Sequence, residues 1–173
     1  MRAMAVGSLL VVAMSGCSFI TGPVRAEDRD SGFVLTITSP RQVWAVGEPI
    51  VVNAELAYHG PGERKVFGPG PGSHIRFDVI ELTGHRRMES LWKLGCASWT
   101  MNGAPISTPM IKGGGWDAND PDAAFYEQFV QEPEFRLPAG RWEVAAHAPF
   151  SLGPDSCGGQ TVDLQAALTL IVQ

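Results

Sequence analysis

Hydrophobic and polar residues alternate along much of the chain, and glycine- and proline-rich stretches interrupt the alternation. The pattern is most regular in five segments: 33–38, 50–59, 74–82, 142–148 and 162–172. A period of two residues is typical of a strand with one buried face, so each segment is predicted to be a β-strand. Residues 163–168 would also fit a helix, but the even spacing that continues to the C-terminus favours a strand.

Weaker patterns complete the predicted architecture. We expect a strand over residues 91–101, broken by Gly95, and short strand pieces at 125–130 and 134–137, separated by Pro133. Residues 60–73 and 112–122 are rich in glycine and are predicted to be loops, the first with a short extended piece at 65–67. The total is about seven or eight strands with no convincing helix, which indicates an all-β, antiparallel sandwich of two sheets.

One local motif supports this fold class. Residues 137–144 combine a Pro-Ala-Gly turn with alternating Trp142 and Val144. The motif resembles a late hairpin of bacterial immunoglobulin-like domains, and it is also similar to a stretch of BsuPI-type proteinase inhibitors. The first resemblance implies an immunoglobulin-like β-sandwich, and the second implies protease inhibition as an alternative function.

The N-terminal residues are typical of an export signal. After Arg2, residues 3–14 carry no charge, but this stretch is shorter than the ~20 apolar residues that span a bilayer. Its length and flanks fit the hydrophobic region of a secretory signal peptide. The following Met14-Ser15-Gly16-Cys17 resembles the lipobox of bacterial lipoproteins, although Met14 stands where leucine is usual. The resemblance implies that Cys17 is lipidated and becomes the mature N-terminus.

A second processing site remains open. Val24-Arg25-Ala26 resembles an A-x-A-like signal-peptidase site, and cleavage after Ala26 would release a secreted protein. With Cys17 as the anchor, the sequence divides into a signal peptide (1–16), a flexible tether (17–32) and a β-sandwich domain (33–173). The expected location is the bacterial cell envelope, outside the cytoplasm, with the membrane as partner through Cys17.

The cysteine content agrees with export. If Cys17 is lipidated, then Cys96 and Cys157 remain, and an even number in an oxidising compartment indicates a disulfide. Two free, buried cysteines are the alternative. The formal net charge of −5 argues against nucleic-acid binding.

No catalytic constellation is found in the sequence. His147 and the stretch around Ser156 look superficially like trypsin-like protease signatures, but they are nine residues apart and Cys157 interrupts the second. A triad depends on geometry rather than on local strings, so we reject this interpretation. His59, His74, His85 and His147 are scattered without metal-ligand spacing. The chain is therefore predicted to have no cofactor and not to be an enzyme.

Two loop features are candidate binding residues. Asp117, Asp120 and Asp122 concentrate oxygen ligands suited to calcium, although a solvated turn explains the same composition. Trp116, in the same loop, is a candidate exposed aromatic for binding, unless it folds back over a sheet edge.

The favoured function is therefore a lipid-anchored binding or interaction module. It would present loops 60–73 and 113–122 away from the membrane, because recognition usually lies on the loops of a rigid scaffold. The alternative is an inhibitor of extracellular proteases. A hydrolytic enzyme has no supporting residues.

Overall fold

The computed structural model describes residues 22–69, 74–89, 96–113, 119–153 and 158–173. In these residues two β-sheets pack face to face, which confirms the predicted all-β sandwich. Eleven strands and one helix are present in the described part of the chain: β1 Val24–Asp30, β2 Phe33–Ser39, β3 Val43–Trp44, β4 Asn53–Tyr58, β5 Arg64–Gly68, β6 Arg76–Glu81, β7 Arg87–Met88, β8 Ala97–Met101, β9 Ile106–Pro109, α1 Ala123–Gln131, β10 Gly140–Leu152 and β11 Gln160–Val172.

Strands β10 and β11 form the longest pairing in the molecule. They are antiparallel from Gly140, opposite Val172, to Leu152, opposite Gln160. Alternate side chains of both strands point into the sandwich and are buried, as their alternation predicted. The helical alternative for residues 163–168 is therefore wrong, because this segment lies in the middle of β11.

The seven-stranded sheet is built on this hairpin. Along the path of hydrogen-bonded neighbours its order is β3-β11-β10-β5-β8. Strand β6 pairs with the first half of β10, whereas β5 contacts the same edge near its end, at Ser151 opposite Phe67. The two-residue β3 lies parallel to the end of β11, and β7 pairs with β6.

The four-stranded sheet has the order β1-β2-β4-β9. Its inner face contributes Leu35, Ile37 and Leu56, each with no exposed surface, to one continuous core shared with the larger sheet. Phe33 contacts Phe150 of the opposite sheet with ring centroids 4.7 Å apart. Close packing of this kind makes the two sheets a single cooperative unit.

Strand β1 corrects the prediction of a flexible tether over residues 17–32. Residues 24–30 pair with β2 through a two-residue turn, in which Ser31 and Gly32 have φ values of 52° and 83°. Such positive φ angles are those of a tight hairpin turn whose twist matches its strands. The charged residues of this run, Arg25, Glu27 and Arg29, alternate on the exposed face. The folded domain therefore begins near Val24 rather than near Phe33.

The inner face of β1 also covers an edge of the other sheet. Val24 and Ala26 are half-buried against the core. Asp28 Oδ2 accepts a hydrogen bond of 2.9 Å from the backbone N–H of Gln165 in β11. An inward-pointing charge that binds an edge strand is a known protection against unwanted strand pairing.

Helix α1 is the second correction. Residues 125–130 were predicted as a strand piece, but they lie within Ala123–Gln131, and residues 134–137 form no strand either. Tyr126 and Phe129 are the buried residues of the helix. Their spacing and that of Phe125 fit a helix that packs one face on the core.

The sandwich has two ends, which we call proximal and distal. The proximal end is the one where β1 begins: Val24 lies opposite Ser39, and the β10–β11 hairpin has Gly140 and Val172 there. The distal end carries the β1–β2 turn and the β10–β11 connection. In the described residues, no helix is long and apolar enough to cross a membrane.

The described parts of the two segments proposed for recognition lie at opposite ends. Residues 60–63 follow His59, whose N–H donates to Gly32 O at the distal end. They lead into β5, so residues 64–68 of the first segment form a strand and not a loop. Lys112 and Asp122, in contrast, contact α1 and the β6–β7 turn at the proximal end.

Candidate functional site

A groove with an apolar lining lies at the proximal end, among the described residues. It has a volume of about 370 Å³ and lies between α1, the turn at Val46–Gly47 and the segment that leads into β10. Phe125, Phe129 and Leu137 give it apolar walls, while Gln128, Glu132 and Arg136 give it a polar rim. Apolar surface with a few polar groups at the rim is typical of binding sites.

Aromatic packing positions the helix beside this groove. The Phe125 ring stacks on Trp142 of β10 at 6.3 Å, and Phe129 meets Phe135 edge-on at 5.9 Å. Ile50 N–H donates to Phe135 O, which ties the segment after the helix to the start of β4. A helix of nine residues is too short to be stable alone, so α1 depends on these tertiary contacts.

Lys112 fixes the C-terminal end of α1. Its Nζ donates to the backbone carbonyls of Phe129, at 2.6 Å, and Glu134, at 2.9 Å, and also to that of Glu132. The final carbonyls of a helix have no partners within it and carry partial negative charge, so an ammonium group is favourable there. Burial lowers the pKa of Lys112, and the nearby Glu132 opposes this effect.

Asp122 forms the corresponding contact at the other end of α1. Its Oδ1 accepts from Arg86 Nε at 3.2 Å, and its Oδ2 lies 2.6 Å from His85 Nε2. Asp120 Oδ1 in turn accepts from the backbone N–H of Asp122 at 2.8 Å. The Arg86 guanidinium also lies 4.6 Å from the centre of the Phe125 ring, which links the β6–β7 turn to the helix.

These contacts bear on the calcium candidates. Asp120 and Asp122 are both engaged by groups of the protein, as expected for the turn alternative. No group of three or more His, Cys, Asp or Glu side chains among the described residues is arranged to hold a metal ion. Asp117 lies outside the described residues, so the full candidate set stays a prediction.

A half-buried ion pair lies on the outer face of the seven-stranded sheet. His147 Nε2 of β10 is 3.0 Å from Asp78 Oδ2 of β6, and the two side chains are 16% and 14% exposed. The Asp78 hydrogen bond raises the pKa of His147 against the opposing effect of burial, with smaller electrostatic contributions from Asp163 and Glu89. On this outer face the pair links β6 and β10 by charge, whereas on the inner face the two strands are linked by apolar packing.

The tryptophans of the described chain have structural roles. Trp142 is fully buried, as its inward position predicted, and its Nε1 donates to Pro138 O at 3.0 Å. Trp44 is buried beneath the Arg41 guanidinium, which lies 4.1 Å from its ring centre. Trp99 stacks on His74 at 4.3 Å, and burial lowers the pKa of that histidine.

The remaining predicted site residues can be placed only in part. Cys17 and Cys157 lie outside the described residues, so the pairing of Cys96 with Cys157 stays a prediction. Trp116 also lies outside them. Hydrogen bonds from Arg29 and Arg25 lower the pKa of Glu27 on the open face of β1.

The groove itself was not predicted from the sequence. A signal for α1 was nevertheless present: Asp120, Pro121 and Asp122 precede Ala123, and Phe125 and Phe129 are four residues apart. Turn-forming acidic residues before such spacing are typical of a helix start. The contacts of Lys112 had no signal, because their acceptors are backbone carbonyls 17 to 22 residues away.

The sequence was also compared with known proteins. No family model matches the chain, and a search of curated proteins found no match to it.

Replacing Lys112 by methionine should destabilise the domain. The change keeps the apolar stem but removes the ammonium group, so that the last carbonyls of α1 lose a charged donor. We expect the free energy of unfolding in urea to fall by about 1.5–3 kcal/mol. Lys65→Met, at an exposed position of β5, is the matched control and should change it by less than ~0.5 kcal/mol. Equal stability of both variants would show that Lys112 does not hold the helix.

The His147–Asp78 pair should make stability depend on pH. The folded-state pKa of His147 is raised above 6.5, so its contribution is fully present below that pH. The contribution is lost as pH rises through the raised folded-state pKa. The unfolding free energy of the wild type should therefore fall relative to that of His147→Gln as pH rises from 6 to 8.

Both proteins contain His74, whose lowered pKa changes stability with pH in the opposite direction. Taking the difference between their unfolding free energies therefore removes the contribution of His74. Asp78→Asn should remove most of the same slope, and His59→Gln, at an exposed position, should retain it. Parallel curves for the wild type and His147→Gln would contradict the assignment.

Proposed function

We propose that the protein is an exported lipoprotein of the bacterial cell envelope, anchored through Cys17, whose β-sandwich acts as a binding or interaction module. The uncharged segment after Arg2 and the lipobox-like Met14-Ser15-Gly16-Cys17 support the anchor.

The position of β1 is the observation that carries this proposal. Ala26 lies within β1, half-buried and opposite Ile37 of β2. Cleavage after Ala26 would remove Val24, Arg25 and Ala26, and with them the 3.3 Å hydrogen bond from Arg25 to Thr36 Oγ1. Processing at Cys17 leaves the whole strand in place. The fold therefore favours Cys17 over Ala26 as the mature N-terminus.

The tether implied by this choice is short. Six residues, 18–23, separate Cys17 from the first residue of β1. An extended chain reaches at most ~3.6 Å per residue, so β1 would begin within about 25 Å of the lipidated residue. The sandwich would therefore stay close to the membrane rather than extend far from it.

Two features support a binding role. The proximal groove offers an apolar surface with a carboxylate, a guanidinium and an amide at its rim, a lining suited to an apolar ligand group. Loop residues 61–63 at the distal end are exposed beside a rigid sheet. In an oxidising compartment, we further propose that Cys96 pairs with Cys157.

The alternative of protease inhibition has less support. It depends on the resemblance of residues 137–144, yet Leu137 is 3% exposed and Trp142 is fully buried in the structure. Their pattern is explained by core packing, because the segment forms the turn into β10. An inhibitory loop must instead present its side chains to the protease.

Replacing Cys17 by serine tests the anchor. The variant cannot be acylated, so the protein should leave the membrane fraction and appear as soluble or unprocessed material on fractionation. Cys96→Ser is the control: it also replaces one cysteine by serine, but the protein should remain in the membrane fraction. Unchanged partitioning of the Cys17 variant would sink the proposal.

The role of β1 can be measured on unlipidated chains. We compare chains that begin at Ser18, at Val24 and at Glu27. Because Val24 and Ala26 pack on the core, the chain from Glu27 should lose about 2–3 kcal/mol of unfolding free energy relative to that from Ser18. The chain from Val24 should match the one from Ser18. Equal stability of all three would make Ala26 an acceptable processing site.

A further inference from the structure

The large apolar side chains that remain exposed are concentrated at one end of the sandwich. In the described residues they are five, with exposed fractions between 40% and 59%: Val46, Val51, Leu82, Ile111 and Val130. Single exposed hydrophobic residues are normal on a protein surface and need no explanation. These five residues, however, all lie at the same end of the sandwich.

The backbone pairing places two of them side by side. Ser39 and Asn53 mark the proximal ends of β2 and β4, and Val51 comes just before β4. Met110 N–H donates to Val52 O, which extends the β4–β9 pairing beyond Pro109. This register brings Ile111 next to Val51.

The other three lie around them at the same end. Val46 N–H donates to Gln173 O, just beyond the end of β11. Leu82 N–H donates to Arg141 O, at the start of β10. Val130 belongs to α1, whose Phe125 stacks on Trp142. All five therefore surround the end at which β1 begins.

The distal end has a different character. Its exposed described residues include Asp30, Ser31, His59, Glu63 and Asn102, which are polar or charged. No large apolar side chain is exposed there among the described residues. Among the described residues, the exposed large apolar side chains thus lie at the end that the N-terminal tether enters, where they alternate with charged residues, and not at the other.

We propose that the proximal end rests on the lipid surface, with these five side chains in contact with the bilayer. The inference rests on the proposed anchoring through Cys17. Only residues 18–21 lie between Cys17 and Gly22, so the lipidated residue holds the proximal end within about 18 Å of the membrane. Apolar side chains of a surface-bound protein enter the boundary of headgroups and acyl chains by about 5–10 Å.

The contact is apolar rather than electrostatic. Three arginines at the proximal end are already paired with carboxylates: Arg41 with Glu48, Arg86 with Asp122 and Arg136 with Glu134. They add little attraction to anionic lipid, and the net charge of the chain is −5. The orientation should therefore be insensitive to salt, unlike binding by a basic patch.

A lipid-borne quencher tests this orientation in the full-length lipidated protein. A dye is attached through a bio-orthogonal amino acid at position 46 or position 59, which leaves the native cysteines intact. The labelled proteins are reconstituted into phosphatidylethanolamine–phosphatidylglycerol vesicles that contain a shallow quencher. Because β2 alone spans roughly 20 Å between the two ends, only the dye at position 46 should be within reach.

We expect quenching at position 46 to be at least about threefold stronger than at position 59, and to persist in 1 M salt. Equal quenching at both positions would overturn the orientation but not the anchoring. The absence of quenching at both positions, in protein that floats with vesicles, would have the same meaning. Protein that does not float with vesicles would overturn the anchor, and the orientation with it.

A paired substitution separates the apolar contact from simple tethering. Val51→Asn with Ile111→Asn should reduce quenching at position 46 by about half or more, while the protein still floats with vesicles. Lys65→Asn with Thr100→Asn, which are opposed on β5 and β8, is the matched control and should leave it unchanged. Unfolding curves confirm that both variants fold. Undiminished quenching in the first variant would contradict the proposed lipid contact.

Discussion

The pairing of β10 with β11 is the constraint on which the rest of the molecule depends. Thirteen residues of each strand are in continuous register, and every second side chain of the pair enters the core. A shift of one residue would turn the whole apolar set toward solvent, so the register is strongly specified. Every other part of the larger sheet attaches to this hairpin or to a strand that does, and Trp142 at its start supports α1.

Much of the fold was predictable because the alternation of apolar and polar residues that forms its strands is local and repetitive. The period of two residues correctly indicated β2, β6, β10 and β11, and the core part of β4. Strand β1 was missed because Val24 is the only large apolar residue at its inward positions, which otherwise carry the small Ala26 and the charged Asp28. Strand β1 is held by its pairing with β2 and by the hydrogen bond from Gln165 N–H to Asp28, a contact that composition does not reveal. A charged run can be the outer face of a strand as well as a disordered tether.

The candidate site was less predictable than the fold. Its walls come from a helix of nine residues that is too short to be stable alone and is held at its ends by Lys112 and Asp122. Both contacts join residues that are distant in sequence. The sequence did show two glycine-rich segments, but it could not show that their described residues 60–63 and Asp122 lie at opposite ends of the sandwich.

The first and last strands of the described domain meet in the fold. Asp28 of β1 binds Gln165 of β11, and Gln173 N–H donates to Trp44 O. The seven-stranded sheet gains its central hairpin only from residues 140–172. Until these residues are available to a folding chain, the sandwich is incomplete. The inner face of β1 is therefore covered only once β11 has formed.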